Sequence, residues 1–180
     1  YLKIYDIETA EFSSEYLPLS TIGTIKDATY LNGNIFILAE KDSHSIIYSI
    51  DLKNNLNIKT IFNELNPSYT KLSVSSIVEN DNEFYVLTLT PSVSTDKLLP
   101  LVLFVEQETL EFSKKIFISF DSALTLDKFF MVQATFDDSH IHFIYFFNSK
   151  VAYSTFEFAE LIDNTELSAV PKDTGAVTDN

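Results

Sequence analysis

Apolar and polar residues alternate along most of this chain in short runs. "TIKDATYL" is followed by Asn32-Gly33, and "NIFILAEK" by a turn around Asp42. The runs are five to ten residues long, rich in isoleucine, valine, phenylalanine, tyrosine and threonine, and bounded by asparagine, aspartate and serine clusters. A period of two with β-branched and aromatic residues predicts half-buried strands. Asn-Gly between two such runs is the strongest hairpin signal in the chain. Glycine occurs only 3 times. The other turns must therefore rely on asparagine, aspartate and serine, which bond their own backbone or tolerate the left-handed conformation.

The strands fall into units of four. The first unit comprises Ile25 to Leu31, Asn34 to Ala39, His44 to Leu52 and Asn57 to Phe62. The second comprises Leu72 to Val78, Glu83 to Thr90, Leu101 to Glu106 and the run "EFSKKIFISF". A third begins with Phe130 to Phe136, His140 to Phe147 and Val151 to Phe158, and shows no obvious fourth strand. Ahead of them, Tyr1 to Ile7 and Glu15 to Ser20 read as the last two strands of an earlier unit. Three segments share one shape: "YDIETAEF", "SIDLKNNLNI" and "FVEQETLEF". In each, an apolar run ends in an acid, at Asp6, Asp51 or Glu106, before a polar turn and a new run. The acids stand at 6, 51 and 106, periods of 45 and 55 residues. The second period is lengthened by the loop from Thr90 to Pro100.

Four-stranded units repeated at roughly 40–50 residues mark propeller blades, which bury their faces by stacking on one another. In this rhythm and hairpin pattern the chain resembles the β-propeller superfamily over most of Tyr1 to Leu161. It lacks the Gly-His and Trp-Asp signatures of WD repeats and the double glycine of kelch repeats. In style it is similar to the glycine-poor propellers of scaffold and coat assemblies such as nucleoporins. The resemblance implies an all-β fold of antiparallel four-stranded meanders arranged as blades of a partial propeller over residues 1–162. The structural alternative is a β-sandwich. Residues 163–180, polar and without apolar periodicity, read as a linker or disordered tail. The chain opens at Tyr1, already inside an alternating run, which reads as an excerpt of a larger domain.

Charge narrows the partners. Lysine plus arginine is 12 against 26 acidic residues, a formal charge of −14. No basic stripe exists to displace phosphate counterions, which disfavours nucleic acid. With no cysteine there is no disulfide, thiolate metal site or cysteine nucleophile. The sole Asn-x-Ser/Thr match, Asn66-Pro67-Ser68, carries the forbidden proline. These absences point to an intracellular or bacterial protein, and the expected setting is intracellular, cytoplasmic or nuclear. No apolar run approaches the ~18 residues of a membrane span.

Candidate chemistry is sparse. His140 and His142, two residues apart on one strand face, could reach a metal with Asp137 or Asp138. Lacking a specified third ligand, they read instead as the solvated start of a strand. The acids in "ENDNE", Glu79 to Glu83, read as a hairpin turn rather than a calcium loop. Ser139, His140 and Asp138 suggest a triad, but neighbours on a strand face opposite ways. The expectation is therefore no catalytic, cofactor or metal residue, no cofactor, and no enzyme. One loop remains, with Thr90, Ser92, Ser94 and Thr95 as a partner-binding or phosphorylation segment. The run "IHFIYFFN" reads as a strand buried on both faces. The functional expectation is a non-catalytic interaction or scaffold module of a larger assembly of nuclear-pore or coat type. Its partners would be other subunits or the rest of its own chain, and the isolated segment would self-associate. The alternatives are an exported bacterial propeller binding or hydrolysing a glycan or small substrate near its axis, and a structural sandwich such as an adhesin or capsid piece.

Overall fold

A computed structural model describes residues 3, 5–6, 8–12, 19–53, 56–65, 69–79, 81–91, 100–120, 130–147, 150–164, 166–169 and 172–176. The first blade is an antiparallel meander of β3 (Thr24–Leu31), β4 (Asn34–Lys41), β5 (His44–Asp51) and β6 (Asn57–Glu64). It follows a small hairpin of β1 (Tyr5–Asp6) and β2 (Glu11–Phe12). The second blade holds β7 (Tyr69–Glu79), β8 (Asn82–Pro91), β9 (Leu101–Glu106) and β10 (Phe112–Phe120). The third holds β11 (Phe130–Phe136), β12 (His140–Phe147) and β13 (Lys150–Glu157). A short helix follows, α1 (Phe158–Asp163), then β14 (Glu166–Ala169) and β15 (Lys172–Ala176). These are propeller blades: an all-β fold of antiparallel meanders stacked face to face, three sheets deep rather than the two of a sandwich.

The repeated hairpin has a physical cause. In each copy a non-glycine residue adopts a left-handed backbone just before the fourth strand: Ala10 (φ 56), Leu56 (φ 54) and Leu110 (φ 54). The acid at the end of the third strand serves the turn that follows. Asp51 Oδ1 accepts the Lys53 N–H at 2.8 Å, and Glu106 Oε2 takes the Thr109 hydroxyl at 3.0 Å. A fourth copy stands 51 residues after Glu106, at Glu157. There the chain enters a helix instead of a hairpin, and Glu157 forms a capping box with Glu160 at the α1 N-terminus. A second backbone contact repeats in register. The N–H groups of Leu52, Gln107 and Phe158 donate to the carbonyls of Gly33, Glu83 and Ser139, each at 2.9 Å. The turns between first and second strands use Asn32 (φ 52) with Gly33 (φ 87), and Asp81 (φ 63).

Side-chain alternation explains the stacking. On β9, Leu101, Leu103 and Val105 face the first blade, where they meet Phe36, Leu38 and Ile47. Val102 and Phe104 face the third, where they meet Ile141, Phe143 and Phe156. The middle blade is thus apolar on both faces, and its strands read as near-continuous hydrophobic runs. Tyr85 closes on Phe36 edge-to-face at 5.0 Å, and its hydroxyl accepts from Asn34 at 3.1 Å.

Three expectations change. The segment read as a linker or disordered tail contains two strands. β14 joins the outer edge of β10 in parallel, Phe117 opposite Glu166, and β15 supplies the missing fourth strand of the third blade against β13. Lys114 of β10 secures the crossing by donating to the Leu161 carbonyl at 3.0 Å and to that of Ile162. The second early strand, placed at Glu15 to Ser20, begins instead at Glu11, and residues 13–18 lie outside the described residues. Third, β12 is buried on one face only among the described side chains. Ile141 and Phe143 are buried, whereas His142 and Ile144 are half-buried.

Candidate functional site: an axial groove

The first strands of the three blades lie side by side, β3 against β7 and β7 against β11. Each carries a β-bulge near its start. The register shifts between Ile25 and Asp27 in β3, between Tyr69 and Lys71 in β7, and between Met131 and Gln133 in β11. A bulge bends its strand and re-aims the adjacent side chain. The residues just past the three bulges, Asp27, Lys71 and Gln133, line one groove of about 390 Å³ together with Thr29, Ser73 and Thr135.

Two of these side chains also tie the blades. Asp27 Oδ2 accepts the Leu72 N–H of β7 at 3.0 Å while Oδ1 accepts its own neighbour Ala28 N–H at 3.0 Å. The Ser73 hydroxyl donates to the Ala134 carbonyl of β11 at 2.8 Å. The groove therefore presents an ammonium, an amide, hydroxyls and one carboxylate on a frame braced across three blades. Glycoside hydrolysis generally uses two carboxylates flanking the bond, about 5–10 Å apart. Among the described lining residues Asp27 is the one carboxylate. This is a surface rich in donors and acceptors.

The histidine cluster lies at the β11–β12 turn. Asp137 Oδ1 accepts the N–H groups of Ser139 at 2.8 Å and His140 at 2.7 Å, and Oδ2 lies 2.8 Å from His142 Nε2. The Ser139 N–H, then the His142 ring, then the remaining His140 bonds hold its carboxyl well below the usual range. His142 Nδ1 in turn lies 3.0 Å from Thr155 Oγ1. Contrary to the strand-alternation expectation, Ser139 and His140 do meet locally. Ser139 sits in the turn, not the strand, and its Oγ lies 2.8 Å from His140 Nδ1. The acid that both rings meet is Asp137, not Asp138. Among the described residues no group of three His, Asp or Glu side chains is arranged to hold a metal ion.

The acids of "ENDNE" flank the β7–β8 hairpin, with Glu79 paired to Asn82 across it. Of the serine- and threonine-rich loop, Thr90 belongs to β8 and is buried, so its hydroxyl is not on a loop surface. Ser92, Ser94 and Thr95 lie outside the described residues. The groove residues Lys71 and Gln133 carry no local signature. Only the register shift of an assembled sheet reveals them.

No family model and no curated protein matches the chain. Among solved structures it is similar to a GH43 endo-arabinanase from Bacillus licheniformis, at 12% identity and a TM-score of 0.41 over 92% of this chain and 69% of that one. The expectation of a non-catalytic scaffold segment is corrected here. The neighbour is an endo-arabinanase, not a scaffold subunit. The scaffold reading also rested on the absence of a catalytic constellation, and the groove does gather polar residues from three blades. A likeness this distant carries neither residues nor activity to this chain. No helix among the described residues is long and apolar enough to cross a membrane.

Proposed function

We propose that the chain is part of a ligand-binding propeller whose axial groove takes a short glycan or similar small polyhydroxy ligand. The observation that supports this reading is the bulge at the same place in all three inner strands. Each one turns a polar residue, Asp27, Lys71 or Gln133, toward the same groove. Hydroxyl-rich ligands are bound by such mixtures of donors and acceptors. The groove's single described carboxylate favours binding over hydrolysis. Lys71 and Gln133 donate to the ligand, Thr29 and Thr135 exchange hydrogen bonds with it, and Asp27 accepts while bracing β7.

The test is a glycan array followed by titration calorimetry of the best ligand. A hydrogen bond to a charged group contributes about 1.5–3 kcal/mol, and a neutral one about 1. Lys71→Met should therefore weaken binding by about ten- to a hundredfold, and Gln133→Leu by about fivefold. No ligand at millimolar concentration, or a ligand indifferent to both substitutions, would refute the proposal.

A further inference from the structure

Asn32 is the only asparagine in the chain followed by glycine. It stands exposed at the tip of the β3–β4 hairpin, and Asn32 and Gly33 form the whole loop, since Leu31 pairs directly with Asn34. An asparagine so placed can react with its own backbone. The Gly33 amide nitrogen attacks the side-chain carbonyl carbon of Asn32, Cγ, and closes a five-membered imide. A bond forms between Gly33 N and Cγ, the bond from Cγ to the side-chain nitrogen breaks, and that nitrogen leaves as ammonia with the Gly33 proton. Water then opens the imide at either carbonyl and yields aspartate or isoaspartate. Glycine permits the attack because no side chain crowds its nitrogen or restricts its dihedrals. Among the described residues no bond engages the Gly33 N–H, whereas the Gly33 carbonyl accepts the Leu52 N–H at 2.9 Å.

The turn geometry sets the rate. Left-handed backbone at both residues, φ 52 at Asn32 and φ 87 at Gly33, marks a type I′ turn. There the first residue has ψ of about +30°, which carries the Gly33 nitrogen to the far side of the Cα–C bond from the Asn32 side chain. Ring closure needs ψ of about −120°, the value at the first residue of a type II′ turn. The two turns differ by one rotation of the Asn32–Gly33 peptide plane, during which Gly33 passes to a φ of about −80°. Asn32 φ and the Gly33 carbonyl keep their places, so the strands stay paired and the Leu52 bond survives. We infer that Asn32 is a deamidation site of the folded protein, gated by this peptide flip rather than by unfolding. Either product adds a negative charge to a cleft already lined by Asn32, Glu79 and Glu83. Isoaspartate also routes the main chain through Cβ and Cγ, and the lengthened loop no longer fits the two-residue turn between Leu31 and Asn34.

The test compares the full chain with a synthetic peptide spanning Thr29 to Ile35 in mildly alkaline buffer. Peptide mass mapping and methylation by an isoaspartyl methyltransferase follow residue 32. The folded chain should react about ten- to a hundredfold more slowly than the peptide, because the flipped turn holds Asn32 in a sparsely populated conformation. Asn32 should nonetheless convert ahead of every other asparagine. Sucrose, which raises global stability by exclusion from the surface, should leave the rate within about twofold, as a local opening requires. A rate that falls in step with the unfolding equilibrium would place the reaction in the unfolded chain and overturn the flip. Asn32 still intact after about a hundred peptide half-lives would overturn the site itself. The isoaspartyl fraction, separated by anion exchange, should unfold at lower urea than Asn32→Asp, which has the same charge and an unlengthened chain. Equal midpoints would overturn the predicted break in the turn.

Discussion

Asp27 is the residue at which fold and groove meet, so removing its carboxylate gives two separable readouts. In the native structure Oδ2 accepts the N–H of Leu72, a residue only 4% exposed, across the gap between the first and second blades. Asp27→Ala deletes a charged acceptor and leaves that donor unpaired. A hydrogen bond to a charged group contributes about 1.5–3 kcal/mol, and an unpaired buried donor costs about 1–3. The groove admits water to the vacated position, which sets the expected loss near 2 kcal/mol. The Ala28 bond is exposed and adds little. Asp27→Asn keeps an acceptor oxygen and should lose less than about 1 kcal/mol. Urea unfolding measures the global effect, with an unchanged slope. Amide exchange measures the local one: protection of the Leu72 N–H should fall about thirtyfold, since 1.4 kcal/mol is a factor of ten. Thr29→Val, in the same groove and without an inter-blade bond among the described residues, is the control. If Leu72 exchange in Asp27→Ala stays within about twofold of the parent, the carboxylate does not join the blades.

Gly23 has φ +97, and a Cβ there would stand 2.5 Å from the Glu40 carbonyl oxygen. Gly23→Ala should therefore cost more than the roughly 1–2 kcal/mol of a left-handed alanine, measured by urea unfolding, and a neutral result would contradict the turn. Asp137 has its pKa depressed by the Ser139 N–H and the His142 ring. Its stabilising contribution is complete above the ordinary carboxylate pKa near 4 and is lost as pH falls through the depressed value. The stability gap between parent and Asp137→Asn should thus narrow from pH 5 to pH 2, and a gap constant with pH would refute it. Burial raises the pKa of the Tyr69 phenol, with Glu64 adding to the shift. The neutral ring's contribution is present below pH 10 and lost above it, so Tyr69→Phe should flatten the alkaline limb of the stability profile. The first blade's outward face carries Ile35, Tyr48 and Ile58, only partly buried. Residues 1–180 alone should self-associate in analytical ultracentrifugation, and a cooperative monomer would refute this.

Strands, turns and their order were legible because each depends on neighbours in sequence. Asn32-Gly33 and Asp81 adopt the left-handed conformations their residue types suggest. β9, β11 and β12 occupy the ranges that alternation alone marks. β14 and β15 were not legible. "ELSA" and "KDTGA" are only four and five residues long, too short for an alternation to show, and the first pairs in parallel with β10, outside the antiparallel rhythm. Glu157 escaped the repeat because a helix, not a hairpin, follows it. The bulges escaped as well. None of Ile25, Tyr69 or Met131 is a glycine, and a register shift exists only between paired strands.

The two repeated positions in each blade behave differently, and the difference separates architecture from recognition. At the end of the third strand every copy is acidic: Asp6, Asp51, Glu106 and Glu157. In three of them the carboxylate satisfies donors of the next turn or helix, so the geometry itself demands an acceptor. Just past the bulge the backbone geometry also repeats, yet the residues are Asp27, Lys71 and Gln133, an acid, a base and an amide. A bulge needs no particular charge, and Lys71 and Gln133 brace nothing among the described residues. The frame therefore constrains where these side chains emerge but not what they are. Three unlike polar groups held at equivalent points around one groove are free to match an asymmetric ligand. That freedom is what the proposed binding site requires.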